Sequence, residues 1–390
     1  MSGKKEPEKI RIAVFLPTSI QMGGGVERWA LNMLGSMDRS RFSLTLIETA
    51  FLDRKRFDSN RVERALEGVS RMKIVSPDSR FRYLRLSRPG SAFLSLFHWI
   101  IIALYRARNR ELLDKIEENN DIIYLARNSY SGLFTGKKAL LIGSCHTDFP
   151  YDSPYNIFRA KLVSTGFLLR KMDAFHMFQG RDKVSGILAK KRYVFNVPNP
   201  VNIPIGQCTK TGPARFVYLG RLEAIKGVDI LMDAWNLFRK DGCTLTIIGG
   251  GSMEKTIGES HMENMEIRGL LSDDALFRCL CESDVFVYPT RWDSLPTTVL
   301  ESLCSGNFVV TTKFLENTFL REKADGFIDF RNLAKEDFLS AMEYCRDNIS
   351  DIRGISGKIS ARSNERYGIG NVVHMFTEEM VKLAGNMDSS

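Results

Sequence analysis

Three short stretches of this 390-residue chain bring glycine, cations and carboxylates together in patterns suited to an anionic ligand. Residues 220–227 (GRLEAIKG) lie between a strand-like run and a helical pattern, starting at Gly220. A strand that opens through a glycine turn into a helix aims backbone amides at one point, where an anion binds. Arg221 offers a planar fork for phosphate oxygens, and Lys226 a compact point charge. Residues 247–251 (IIGGG) run from a strand into Gly249 and Gly250, where a ligand can approach the backbone closely. Residues 288–296 (YPTRWDSLP) lead into a helix that carries Glu301. Pro296 suits the first turn of that helix, with Asp293 or Ser294 as its cap. Asp293 and Glu301 stand eight apart, one before the helix and the other about two turns in. That spacing lets both carboxylates face one ligand while helix amides stay free for phosphate. Taken singly, each stretch also fits a plainer reading: a solvated turn, a glycine loop, or a capping Asp with a surface Glu.

The elements that must position these residues follow from hydropathy patterning. Short β-branched runs at 10–17, 43–50, 121–126, 139–144, 174–178 and 193–197 read as buried strands. After the first comes Gly23-Gly24-Gly25, then a helical pattern of Val26, Trp29, Ala30, Met33, Leu34 and Met37. Residues 198–213 hold four prolines and two glycines without periodicity, as a linker does. Alternation then resumes, with strands at 214–219, 244–248, 284–288 and 308–312 and helices at 228–239, 273–282 and 297–304. Residues 334–385 are mostly helical. Strands alternating with helices imply parallel sheets covered on both faces. The expected fold class is α/β, with two doubly wound Rossmann-like domains. They span 1–198 and 214–365, with a linker at 199–213 and a C-terminal helix at 366–390 crossing back to the first. In such folds ligands sit beyond the carboxyl ends of the strands, and the cleft between domains is the default site.

Composition narrows the class further. The apolar fraction is 44% and the charged fraction 26%, which excludes disordered, collagen-like and disulfide-scaffold chains. Residues 1–200 carry 34 Lys and Arg against 19 Asp and Glu, a surplus of 15, whereas residues 201–390 carry 21 against 27. Seven scattered cysteines with no Cys-x-x-Cys pair point to a reducing compartment and no structural metal. The polar N-terminus does not read as a signal peptide. The most apolar stretch, 91–105, is shorter than the ~20 residues of a membrane-spanning helix. The expected location is cytoplasmic, with a peripheral membrane contact open. Basic residues at 54–56 and 80–88 beside the apolar stretch suit an anionic leaflet; a core helix behind a charged loop is the alternative. No aromatic-and-basic RNA motif or helix-turn-helix pattern supports a nucleic-acid partner.

As an ordered series, these motifs resemble glycosyltransferase family 4, nucleotide-sugar-dependent enzymes of the two-domain GT-B fold. The resemblance runs from Gly23-Gly24-Gly25-Val26-Glu27 through Cys145-His146-Thr147-Asp148 and 197–202 (VPNPVN). It continues through 220–227, the glycine turn, Ile267-Arg268-Gly269, the Asp293 and Glu301 pair, and Glu365-Arg366-Tyr367. It implies that Arg221 and Lys226 neutralise the donor diphosphate, and that Glu301 binds the ribose hydroxyls. Asp293 stands where the family usually places a Glu that contacts the donor sugar, and is one methylene shorter. Amides from Leu295 through Thr297 and Thr298 are expected to face the leaving phosphate, with Gly23, Gly24 and Gly25 closing over the donor. His146 is expected to touch the transferred sugar or the acceptor. Pro200 replaces the family's glycine after Asn199, so the linker assignment carries over without a ligand role for Asn199.

The activity this implies is retaining, metal-independent transfer from a nucleoside diphosphate sugar to a glycan or lipid-linked acceptor, with no cofactor. The sequence holds no Asp-x-Asp, in keeping with that expectation. The alternatives are a non-catalytic partner subunit of the same fold, and a transferase with a small soluble acceptor. An epimerase or phosphorylase of the same fold would need other acid–base groups or a pyridoxal lysine, and neither pattern is evident.

Overall fold

A computed structural model describes residues 8–49, 59–74, 102–144, 171–178, 193–203, 208–238, 242–260 and 262–385. The chain divides into two compact units, residues 1–197 with 373–390, and residues 198–372.

The first unit carries β1 (Ile10–Leu16), β2 (Phe42–Thr49), β3 (Ser70–Ile74), β4 (Ile122–Leu125), β5 (Leu140–Ser144), β6 (Ala174–Met177) and β7 (Tyr193–Asn196). They form a parallel sheet in the order β3-β2-β1-β4-β5-β6-β7. Ile12 of the central strand lies beside Leu44 on one side and Ile122 on the other. That strand is apolar throughout its buried part because both of its faces are covered.

The second unit repeats the plan with β8 (Ala214–Leu219), β9 (Cys243–Ile248), β10 (Met265–Arg268), β11 (Val285–Tyr288), β12 (Phe308–Thr312) and β13 (Ile328–Arg331). Its parallel order is β10-β9-β8-β11-β12-β13. In each sheet the strand order reverses beside the first strand, between β1 and β4 and between β8 and β11. Loops leaving the two strands on either side of such a reversal diverge and open a crevice, the place where doubly wound sheets bind ligands.

The helices that matter below are α1 (Gly25–Ser36), α2 (Val228–Leu237), α3 (Asp273–Glu282), α4 (Thr297–Cys304), α5 (Ile349–Tyr367) and α6 (Ile369–Gly385). Residues 198–203 belong to the second unit, where Val201 N donates to Tyr367 O at 2.8 Å and Ile369 N to Val201 O at 3.0 Å. The two passages of the chain between units, at 197/198 and 372/373, are thus joined close to their ends. Within the first unit, Phe376 of α6 packs at 5.8 Å from Trp29 and 5.7 Å from Tyr124, centroid to centroid.

Three details differ from the sequence expectations. Strands β3 (SRMKI), β10 (MEIR) and β13 (IDFR) were not expected; all carry charge because they lie at or beside a sheet edge. Cys208 and Cys281 are joined as a disulfide across 73 residues, which corrects the expectation of thiols without a crosslink. No local spacing announces a pair so far apart. Cys243, Cys279, Cys304 and Cys345 are buried and outside this disulfide. Finally, Pro296 is itself the cap residue of α4 and no side chain caps that helix, because Asp293 is engaged elsewhere. Among the described residues no helix is long and apolar enough to cross a membrane. The basic clusters at 54–56 and 80–88, and most of the 91–105 stretch, lie outside the described residues.

Candidate functional site

In the second unit the two loops flanking the strand reversal are built against each other, backbone on backbone. Gly227 takes a left-handed conformation (φ 72°), and a Cβ there would sit 1.7 Å from Pro289 O. Only glycine permits that approach. Gly249 (φ 144°) is held likewise, its would-be Cβ 1.9 Å from Gly220 O. Leu222 N donates to Gly250 O at 3.2 Å and Arg291 N to Ile225 O at 3.0 Å, so three strand-end loops form one rigid rim. Gly220, Gly249 and Gly250 are therefore rim-building residues by observation.

Arg291 strengthens the rim. Its guanidinium forms a two-pronged pair with Asp229 at the start of α2, at 2.7 and 2.6 Å, and also donates to Ala224 O. That contact holds the carboxyl of Asp229 below its usual range, against the opposing effect of burial. Arg291 carries no local sequence signal for this role, since its partner lies 62 positions away.

This rim presents Arg221 as an exposed side chain and Lys226 as a nearly buried one. Lys226 Nζ lies 2.5 Å from Asp293 Oδ2 and 3.3 Å from Trp292 O. Asp293 Oδ2 also accepts from Tyr288 OH at 2.9 Å, and Oδ1 from Ser294 N at 2.9 Å. Tyr288 is buried, and burial together with the Asp293 charge raises its phenol well above the ordinary value, so it stays a donor. Thr297 and Thr298 open α4, whose first amides have no carbonyl in a preceding turn to bind. Leu295 precedes them, and its carbonyl accepts from Asn199 Nδ2 at 2.9 Å. Asn199 Oδ1 and Thr298 Oγ1 are buried without a protein hydrogen-bond partner, polar atoms left over at this corner. Glu301 is buried on the same helix. The structure thus gathers Arg221, Lys226, Asp293, Ser294 and the start of α4 at one strand reversal, and puts Glu301 on the helix behind it.

The corresponding loops of the first unit are furnished differently. Gly23 is left-handed (φ 63°) and Gly24 caps α1, with Gly25 as its first residue. The preceding turn is tied down by Ile20 N donating to Glu48 Oε2 at 2.9 Å. Glu48 is fully buried and pairs with Arg71 at 3.1 Å. Thr18 donates to the buried Glu27. His146 and its neighbours lie outside the described residues. Among the described residues the buried histidine of this unit is His176, which receives the Tyr124 hydroxyl at Nδ1 and donates from Nε2 to Val197 O, both at 2.7 Å. Burial pushes its pKa down to about 4, so it is a neutral packing group stacked on Phe195. Among the described residues no group of three or more His, Cys, Asp or Glu side chains is placed to hold a metal ion.

Residues 213–348, most of the second unit, match the family model described as "Glycosyl transferases group 1". Over 110 residues the chain is 31% identical to glycogen synthase of Mycobacterium tuberculosis; the match covers 26% of this chain and 27% of that enzyme, about a quarter of each. A crystal structure of Anabaena HepE in complex with UDP and glucose superposes with a TM-score of 0.68 at 13% identity, covering 95% of this chain and 99% of that one. Sucrose-phosphate synthase from Thermosynechococcus elongatus gives 0.69 at 11% identity, covering 97% and 100%. The fold is therefore GT-B, two parallel-sheet Rossmann-like units, and the second unit is the part of the chain similar to the glycosyl transferases group 1 model.

Proposed function

We propose that the protein transfers a sugar from a nucleoside diphosphate sugar, with retention of configuration, to a glycan or lipid-linked acceptor. The observation that carries this reading is the meeting of Arg221, Lys226 and the open start of α4 at the strand reversal of the second unit. Charge grows on the diphosphate as the anomeric carbon–oxygen bond breaks. Donors already aimed there stabilise the transition state more than the ground state. Lys226 supplies one such charge from a site that excludes most water, and Arg221 supplies a mobile one. Glu301 takes the ribose hydroxyls. The acceptor hydroxyl attacks from the face the diphosphate leaves, and its proton passes to a phosphate oxygen. The chain's own groups carry this charge without requiring a metal. UDP is the donor nucleotide to test first, since HepE was crystallised with it. The Gly23–Gly25 loop and His146 belong to the acceptor-side unit in this reading. The surplus of 15 cations in residues 1–200 suits an anionic, phospholipid-linked acceptor at the cytoplasmic face of a membrane.

Incubation with radiolabelled UDP-, GDP- and ADP-sugars tests the proposal. Release or transfer of labelled sugar that depends on Lys226 is the expected result; no turnover of any donor, with or without membranes, would overturn it.

A further inference from the structure

Lys226 is the cation best placed to neutralise a donor diphosphate, yet its ammonium is already paired with Asp293 at 2.5 Å. The pair is mostly enclosed, its side chains 11% and 17% exposed. Asp293 is also held by Tyr288 and Ser294, so three donors converge on one carboxylate. Its bed is stiff: Tyr288 is 2% exposed and stacks on Phe286 with ring centroids 5.7 Å apart. A Glu at this position would be longer by one methylene, about 1.5 Å. The shorter Asp ends where Lys226 begins.

We propose that Asp293 is a positioning residue that holds Lys226 as its counter-ion, and that a donor diphosphate competes with this carboxylate for the ammonium. The inference rests on the reading of Lys226 as a diphosphate ligand. It departs from the sugar-contacting role that the resemblance assigns to this position. A diphosphate carries more negative charge than one carboxylate and takes over the ammonium when it binds. Once the sugar has left, Asp293 recovers Lys226 and helps expel the nucleoside diphosphate. Asp293 therefore sets product release and overall donor affinity, while discrimination between sugars lies with other groups.

The test is calorimetric titration of UDP and of UDP-glucose into the full chain, its Asp293→Asn variant and its Lys226→Ala variant, with GDP and ADP forms run alongside. Asp293→Asn keeps the shape and the bond from Ser294 but removes the charge that competes. The expected result is that UDP and UDP-glucose both bind about tenfold tighter, in the same proportion. Inhibition of turnover by UDP strengthens in parallel. If UDP affinity is unchanged and only UDP-glucose weakens, Asp293 is a sugar contact and the inference is wrong. Weaker binding of both also overturns it. The Lys226→Ala control separates the two levels: if no nucleoside diphosphate binds the wild type, or Lys226→Ala binds as well as the wild type, the diphosphate reading itself fails. Asp293→Ser, smaller and uncharged, gives the same readout should the Asn variant not fold.

Discussion

The two units share the strand order around their first strand, with a crevice at each reversal, but the enclosed charges beside the two reversals differ. Beside β1 the buried charges are carboxylates: Glu27 under Thr18, and Glu48 under the turn at Ile20. Beside β8 and β11 the conspicuous charges are Arg221 and Lys226, with Asp293 as the counter-ion of the latter. The overall balance runs the other way, since residues 1–200 are the basic half of the sequence and 201–390 the acidic half. The contrast teaches that domain net charge says where a protein meets large charged surfaces, whereas a few enclosed residues decide which ligand a crevice accepts. Backbone geometry differs as well. The rim of the second crevice is welded by glycines under neighbouring carbonyls, while that of the first is fastened by side-chain carboxylates.

That contrast can be broken at several points. The largest stability effect is expected from Gly227→Ala, which forces a Cβ onto Pro289 O in a left-handed conformation. A loss of about 3 kcal/mol in the second unit, read by denaturant unfolding, is the expected outcome; a loss within error would mean the rim is not welded there. A similar size is expected from pH in the first unit. His176 has a pKa of about 4 when folded, below the ordinary 6.5. The unfolded chain therefore binds the extra proton first, so stability is full above pH 6.5 and falls as pH drops towards 4. The cost at the acid end is about 3 kcal/mol. Unfolding curves across that window should lose about one proton of slope in His176→Gln; an unchanged slope would remove the histidine from the account. Arg291→Lys is expected to do least. It keeps a charge but loses the two-pronged grip on Asp229, for about 1 kcal/mol and a few-fold weaker nucleotide binding. Unchanged binding would show that the rim does not need that clamp.

Much of this arrangement is legible in the sequence because it is local. The central strands read as apolar runs, and Arg221 and Lys226 were recognisable from a glycine turn between a strand and a helix. The edge strands were not, since β10 (MEIR) and β13 (IDFR) alternate charge with apolar residues over only four positions each. What fell outside the sequence altogether are pairs made by folding. Lys226 and Asp293 are 67 positions apart, Arg291 and Asp229 are 62, and Cys208 and Cys281 are 73. Each residue could be noticed alone, but periodicity carries no information about its partner. Asn199 shows the same limit: the sequence places it in a linker, and folding puts its amide on Leu295 O at the head of α4.

The most direct measurement of the central claim compares the two crevices in one titration. UDP affinity is measured for Lys226→Ala in the second unit and for Glu48→Gln in the first, each against the wild type. Loss of a nearly enclosed cation from a diphosphate site should weaken UDP on the order of 100-fold. Loss of the Glu48 charge, which ties Ile20 and Arg71, should lower the melting temperature while leaving UDP affinity within about twofold. The opposite pattern, with UDP insensitive to Lys226 and dependent on Glu48, would contradict the account.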